Sequence, residues 1–514
     1  AGVWRLTNAG NSFTGTVSVG NGEKACLQFT SVANRGVPSS LGAGETISFD
    51  NTGWTTVSNG IEYVGNADGS TDRDLRLNNN AYTKSHCIRV NGRGALAFSG
   101  ILTNASIPSV TGVRTRTLVF GGTGSGRFTG TTALADVTDP TLAMTGRVAV
   151  TKTGSGRWSL AGSGFDHAGP TDVRAGSLVL EYAAGDHIPS SAVSTEVFIQ
   201  EGNLTLRGKP DGTTAETFGT LFFGDGHATS IPVFRGSSLT LDANGGDGIA
   251  LCVGKLEAEN EGQKLILFDL SSHAGNTVTV NALGSYLTHK NGILGITASA
   301  RGTVFIRTPD RYAYAATNGS GQLTAMVPTS RLPQTGGSST LNYYLTNNIS
   351  LTGDISYSTL TVDSSVQTVT LAMGNRNLTS SEGRSTLFRG MNDITVTSTG
   401  GKIALNSATY WNFLDEGASL RYGADLHLSG SFQYVTWGGP GFTVYSGQTL
   451  GARFALFGGL FRMTADQTLT LTGSPLVLSD GGVLEIGADL NGAANGDFSL
   501  SCGTANGTLA FRGH

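Results

Sequence analysis

A chain of 514 residues has room for several ordinary domains or for one long repetitive one. Seventy-five glycines with only 14% charged residues favour the second, covered by Ser, Thr, Asn and Gly, and the lack of a Gly-X-Y triplet excludes collagen. A net charge of −4 over this length gives no electrostatic pull toward nucleic acid or an anionic membrane, and no apolar run reaches the ~20 residues of a membrane helix.

No basic-then-apolar signal opens the chain, so export would rest on targeting and anchoring segments outside it. Cys26, Cys87, Cys252 and Cys502 are too scattered for a disulfide framework and form no CxxC pair, so they read as small buried hydrophobes. Helical spacing is broken everywhere by glycine or β-branched residues before three turns accumulate. Alternation replaces it. "VAVTKTGSGRWSL" (Val148–Leu160) recurs loosely as "TLVFGGTGSGRFTG" (Thr117–Gly130), and "FDHAGPTDVRAGSLVLEY" (Phe165–Tyr182) matches "SFTGTVSVGNGEKACLQF" (Ser12–Phe29) in its rhythm of strands and glycine corners.

"GSLVLEY" (Gly176–Tyr182), "NLTLRG" (Asn203–Gly208), "SLTLDA" (Ser238–Ala243) and "TVTVNA" (Thr277–Ala282) continue it. "TLTVDS" (Thr359–Ser364), "TVTLAM" (Thr368–Met373), "DITVTS" (Asp393–Ser398) and "TLTLTG" (Thr468–Gly473) carry it to the far end. Each predicts a short strand with one apolar face. A two-residue hairpin fits Asp225-Gly226, but most connections are longer and irregular, which favours a coil winding onward over a meander. The fold class expected is all-β, a right-handed parallel β-helix in which stacked coils align apolar side chains inside.

The most repeat-like stretch carries Thr151, Lys152, Gly154, Gly156, Trp158 and Leu160, then Val173, Ala175, Gly176, Leu178 and Leu180. This pattern resembles the passenger-associated transport repeat of autotransporter-type bacterial surface proteins. "NGILGITASARGTVFIRTPDRYAYAATNGSGQLTAMVP" (Asn291–Pro328) is similar to a module of long repeat-containing surface proteins of planctomycete and verrucomicrobial type. The resemblance implies an exported β-helix displayed on the cell surface, without catalytic residues; no C-terminal membrane barrel of the full autotransporter kind is seen in the sequence.

Two segments break the rhythm. "GKLEAENEGQKLILFDL" (Gly254–Leu270) reads as a loop excursion or a short helix, the former favoured because Gly262 interrupts it. "VPTSRLPQTGGSST" (Val327–Thr340) concentrates Pro, Gly, Ser and Thr and is the expected interruption. The organisation expected is therefore 1–330 as β-helix with the loop near 254–270, and 331–514 as its continuation. Written ahead of "AGVWRL", the C-terminal "TLAFRGH" aligns without a gap to "VAVTKTGSGRWSL", setting Trp4 on Trp158 and Leu6 on Leu160. That phase match leads us to expect one unit of a larger array, joined end to end with copies of itself in tandem or by assembly.

No G-x-S-x-G elbow appears, and His86, His167, His187, His227 and His427 read as exposed loop histidines rather than partners of a nucleophile. Asp68, Asp72 and Asp74, and Asp242, Asn244 and Asp247, offer oxygen ligands for calcium but lack EF-hand or calcium-roll spacing. Asp72 and Asp74 beside Arg73 and Arg76 are the best acids for carbohydrate cleavage, without a second cluster to pair with. Tyr312, Tyr314, Tyr343, Tyr344, Tyr410 and Trp411 read mainly as core or corner stackers, although aromatic rings can also stack on sugars. "GGTGSG" (Gly121–Gly126) is similar to a phosphate-cradling loop, but no helix follows it.

The function expected is a structural, extracellular, rod-like segment of a bacterial surface layer or fibre, with no cofactor, no metal and no enzymatic role. The structural residues expected are Gly154, Gly156, Trp158, Leu160, Gly176, Leu178, Leu180, Trp4 and Leu6. An adhesin binding surface glycans and a polysaccharide-degrading enzyme are the alternatives.

Overall fold

The computed structural model describes residues 2–20, 25–50, 59–78, 85–105, 111–162, 167–182, 196–224, 234–258, 263–296, 302–380, 386–405, 409–428, 434–446, 449–451, 453–457, 459–463, 468–471, 476–479, 483–486, 489–491, 500–502 and 508–511. The described residues form an all-β structure without an α-helix. The alternating core of each of the eight words falls in a strand, with Thr472 and Gly473 outside the described residues. Their chemistry explains it: in Asp393–Thr397 the ends are exposed while Ile394 and Val396 are buried, and β-branched residues pack well on a pleated, half-buried surface. The Asp225-Gly226 hairpin lies outside the described residues.

The strands up to Ala325 fall mainly in three sheets, built almost wholly of parallel pairs. The first runs from Gly2–Leu6 through Gly112–Gly122 and Met144–Lys152 to Thr277–Leu283. The second is shorter and joins Val17–Gly20, Thr46–Asp50, Asp74–Asn78, Leu102–Asn104 and Thr132–Ala133. The third contains Ser125–Phe128, Arg157–Leu160, Gly176–Glu181, Gly202–Arg207 and Phe234–Asp242. From Ser330 onward three further parallel sheets follow, and from Asn342 the chain visits them in strict rotation. Thr359–Asp363 lies in the fourth sheet, Val369–Ala372 in the sixth and Leu378–Ser380 in the fifth, after which Thr386–Arg389 returns to the fourth.

Registers align like with like. In the third sheet Trp158, Leu178, Leu204, Leu239, Phe268 and Ile306 stand opposite one another in successive strands, all at most 1% exposed. Beside them runs Phe128, Leu160, Leu180, Leu206 and Leu241. Each such side chain contributes roughly 1.5–3 kcal/mol of gross burial. One large core cluster reaches from Val17 to Leu323, and a second from Leu332 to Leu484.

Two expectations are corrected. In Gly254–Leu270 the described residues are not a loop excursion: 254–258 end the strand Gly248–Ala258 and 263–269 form the strand Gln263–Asp269, while 259–262 lie outside the described residues. Leu256, Ala258, Ile266 and Phe268 face the core there, while Lys255 and Glu257 pair outside, so charge concealed an ordinary alternation. The break in parallel pairing lies upstream of Val327–Thr340. It is an antiparallel run of Leu287–Lys290, Ile293–Ile296, Gly302–Arg307, Tyr312–Thr317 and Leu323–Ala325. Its first turn is closed by Asn291 and Gly292, with φ of 54° and 76°. Val327–Thr340 instead holds Ser330–Arg331 and Gly336–Gly337, which open the fourth and fifth sheets.

A third cluster, with Leu265, Ile293, Phe305, Tyr312, Tyr314, Leu387 and Phe413, joins the two sets of sheets. Phe413 packs at 4.6 Å from Phe305 and 5.0 Å from Tyr312. Around it Arg307 reaches Asp269 at 3.4 Å and Glu416 at 2.7 Å, and Arg389 holds Asp363 at 2.8 Å.

Candidate functional site

The repeat-like residues meet at one corner. Gly154 and Gly176 turn it with φ of 72° and 68°, a region closed to most side chains. Gly156 donates its N–H to the Gly122 carbonyl at 2.9 Å, so corner packs directly on corner. Into this column the preceding strand delivers Lys152, which is fully buried. Its Nζ donates to the carbonyls of Thr153 at 2.8 Å, Gly154 at 2.6 Å and Ala175 at 3.1 Å. All three ammonium donors are satisfied by backbone, two in its own corner and one in the next. Burial pulls the ammonium down to about 8.

Trp158 is the next element of the same corner. It is fully buried, lies 4.8 Å from Phe120, and donates Nε1 to the Gly121 carbonyl at 3.0 Å. Its indole sits where a side chain on Gly126 would be, since an added Cβ would fall 2.4 Å from the ring. This fixes the register. Matching the words would pair Phe128 with Trp158, whereas the strands pair Gly126 with Trp158 and Phe128 with Leu160. A two-residue slip keeps every side chain on its face, and the ring selects the strand position that offers a glycine.

Gly154, Gly156, Trp158, Leu160, Gly176, Leu178 and Leu180 thus come together. Trp4 and Leu6 do not join them. Their strand, Gly2–Leu6, pairs with Ala25–Phe29 in the first sheet, so Trp4 faces Leu27 and Leu6 faces Phe29. Trp4 is 76% exposed, whereas Trp158 is a buried residue of the third sheet. The two tryptophans are therefore not equivalent, because backbone pairing and not the shared letters sets the phase.

The histidines are corrected as well. His86 lies in the strand Ser85–Val90, fully buried and 5.7 Å from the Phe49 ring. His167 is buried, its Nε2 within 2.9 Å of the Thr171 hydroxyl. His427 belongs to the strand Asp425–Leu428, while His187 and His227 lie outside the described residues.

The acidic loops bind their own chain. Asp68 accepts the Ala95 N–H at 2.8 Å, Asp72 that of Arg35 at 2.7 Å, and Asp74 the Arg35 guanidinium at 2.7 Å. Arg73 points inward to the Leu41 carbonyl at 2.8 Å. Asp242 accepts the Asn244 N–H at 3.0 Å. Among the described residues no group of three His, Cys, Asp or Glu converges as metal ligands would. Tyr312, Tyr314 and Tyr343 are buried, and Tyr344 is half-buried; Tyr410 and Trp411 lie on the strand Thr409–Leu414.

Outer-face side chains missed by the sequence reading form the other polar cluster. Asp172 accepts from Arg174 Nε at 2.6 Å and from Gln200 Nε2 at 2.9 Å. In the third sheet Glu181 accepts from Arg127 at 3.1 Å across an intervening strand, over Ser159, whose hydroxyl also bonds it. The available signal was period-two spacing, as in "DVR", which puts both charges on the outward face. No family model, no curated protein and no solved structure matches the chain.

Proposed function

We propose that the chain is a right-handed parallel β-helix serving as a rod-like structural segment of an exported bacterial surface protein, laid end to end with further copies of itself. The observation that carries this reading is the strict rotation of successive strands through three parallel sheets, with register kept from strand to strand. Parallel crossovers within one sheet are right-handed in about 98% of cases, which gives the hand. On this reading the sheets are the three faces of a coil that rises about 4.8 Å per turn. The resemblance of Val148–Tyr182 to autotransporter-associated repeats points the same way, toward display outside the cell.

Mechanically, such a rod resists bending and unfolding through backbone ladders along its axis and stacked apolar side chains within. The low charge and abundant Ser, Thr and Asn suit an extracellular surface. Electron microscopy and small-angle scattering of the purified chain test the reading. Unbranched rods of constant width, which lengthen by end-to-end joining as concentration rises, are expected. Isometric particles, or rods that join side to side, would overturn it.

A further inference from the structure

We propose that the outer face of the first sheet is a binding groove for an extended acidic polysaccharide, of the uronate-bearing kind. The groove has a volume of about 680 Å³ and crosses five neighbouring strands, from Ser85–Val90 to Glu196–Ile199. Four strand steps give a length of about 19 Å. Along its centre Cys87, Val119, Thr151, Asp172 and Phe198 stand opposite one another, one from each strand. The first four point away from the core, yet are only 1%, 8%, 5% and 9% exposed. They form the floor of the groove, with the half-buried Arg89, Thr117, Thr153, Phe198 and Gln200 and the exposed Arg174 standing around them.

The chemistry of the groove suits a chain of sugar rings. Thr117 on one strand, and Thr151 and Thr153 two residues apart along the neighbouring segment, supply hydroxyls for the hydroxyls of a linear polysaccharide. At one end the Asp172 carboxylate is held by Arg174 and Gln200, which leaves the Arg174 Nη groups, on a side chain 57% exposed, for a ligand. Beside them Phe198 offers an apolar ring, backed by Phe222 at 5.6 Å. Arg89 lines the other end.

Two guanidiniums against one carboxylate leave the lining net positive, in a molecule whose total charge is −4. This favours a ligand that carries carboxylates, which arginine engages in paired hydrogen bonds. A peptide strand is disfavoured, because a sheet face has no free backbone groups to extend; those lie at edges.

Binding of oligogalacturonates to the full chain, measured by calorimetry alongside neutral xylo-oligosaccharides of equal length, tests the proposal. The acidic oligomers are expected to bind and the neutral ones to bind at least tenfold more weakly. Arg174→Ala and Arg89→Ala are each expected to weaken binding at least tenfold, and Thr151→Val severalfold, with each variant still folded at the temperature of the assay. Added salt should weaken it further. Arg157→Ala, on the third sheet, should leave affinity unchanged. No binding of oligogalacturonate at millimolar concentration, equal binding of neutral oligomers, or an Arg157→Ala loss as large as that of Arg174→Ala would overturn it. A rod that bound no sugar would still be a rod, so the two proposals fail separately.

Discussion

The two sets of sheets solve the same packing problem with different side chains. Up to Ala325, buried cations tie the connecting segments down. Arg73 holds the loop after Phe29 through the Leu41 carbonyl, and Lys152 joins successive corners. Arg116 bonds Asn104, which in turn donates to the carbonyls of Ala135 and Gly146 at 3.1 and 3.0 Å. From Ser330 onward a line of rings runs through a largely aliphatic interior: Phe388, Tyr422, Tyr445 and Phe461 follow one another with centroids 6.4, 6.1 and 5.7 Å apart. The difference follows connection length. Residues 31–45, without strand pairing, carry carbonyls that need donors, and a long cationic side chain supplies several. Where strands succeed each other through short turns, as in the strict rotation of the later sheets, backbone groups find partners in the ladders and the core can be apolar.

Mutations can break this comparison at either side or at the joint. The largest effect is expected from Trp158→Ala, about 3–5 kcal/mol, because the ring fills a space that no neighbour can close. Urea unfolding followed separately in the two regions should show the loss before Ala325 and little after Ser330. Phe413→Ala comes next, at about 3 kcal/mol. Its ring is shared by both sets, so one calorimetric transition should split into two; an unsplit transition at lower temperature would place Phe413 within a single unit.

Lys152→Met should cost about 1–3 kcal/mol near neutral pH by leaving carbonyls of the corner without donors. Here pH adds a second readout. The folded ammonium titrates at about 8 and the unfolded one at about 10.4, so between these values the unfolded chain binds the extra proton. Wild-type stability relative to Lys152→Met should therefore rise as pH increases through that window and be flat below it. Glu416→Gln is expected to be smallest, under about 1 kcal/mol, since the Glu416 side chain is 69% exposed and its pairing with Arg307 is screened. A larger loss would mean that ions rather than rings hold the joint.

Strands, glycine corners and inward residues such as Leu160, Leu178 and Leu180 were legible because period-two alternation needs only neighbouring letters. Lys152 was not: in "TKTGSG" it looks like a surface charge, and one of its partners, the Ala175 carbonyl, is contributed by the next corner. Lys255 and Glu257 misled for the opposite reason, since charged outer positions masked the Leu256 and Ala258 alternation. Trp4 and Trp158 carry similar words yet stand in different sheets, a difference that neighbouring letters do not encode. The groove was invisible for a related cause: Cys87, Val119, Thr151 and Asp172 are neighbours only once register is known.

Register along the third sheet is the central claim, and one distance tests it. Ser70, Ala97, Arg127, Ser159, Val179, Thr205 and Thr240 stand opposite one another in successive parallel strands. Six steps separate Ser70 from Thr240, about 29 Å. Spin labels at Ser70→Cys and Thr240→Cys, with the native cysteines replaced by serine, should give a narrow pulsed-dipolar distribution centred near that distance, within the reach of the labels. A broad distribution, or a centre beyond about twice the six-step span, would contradict the stacked parallel register.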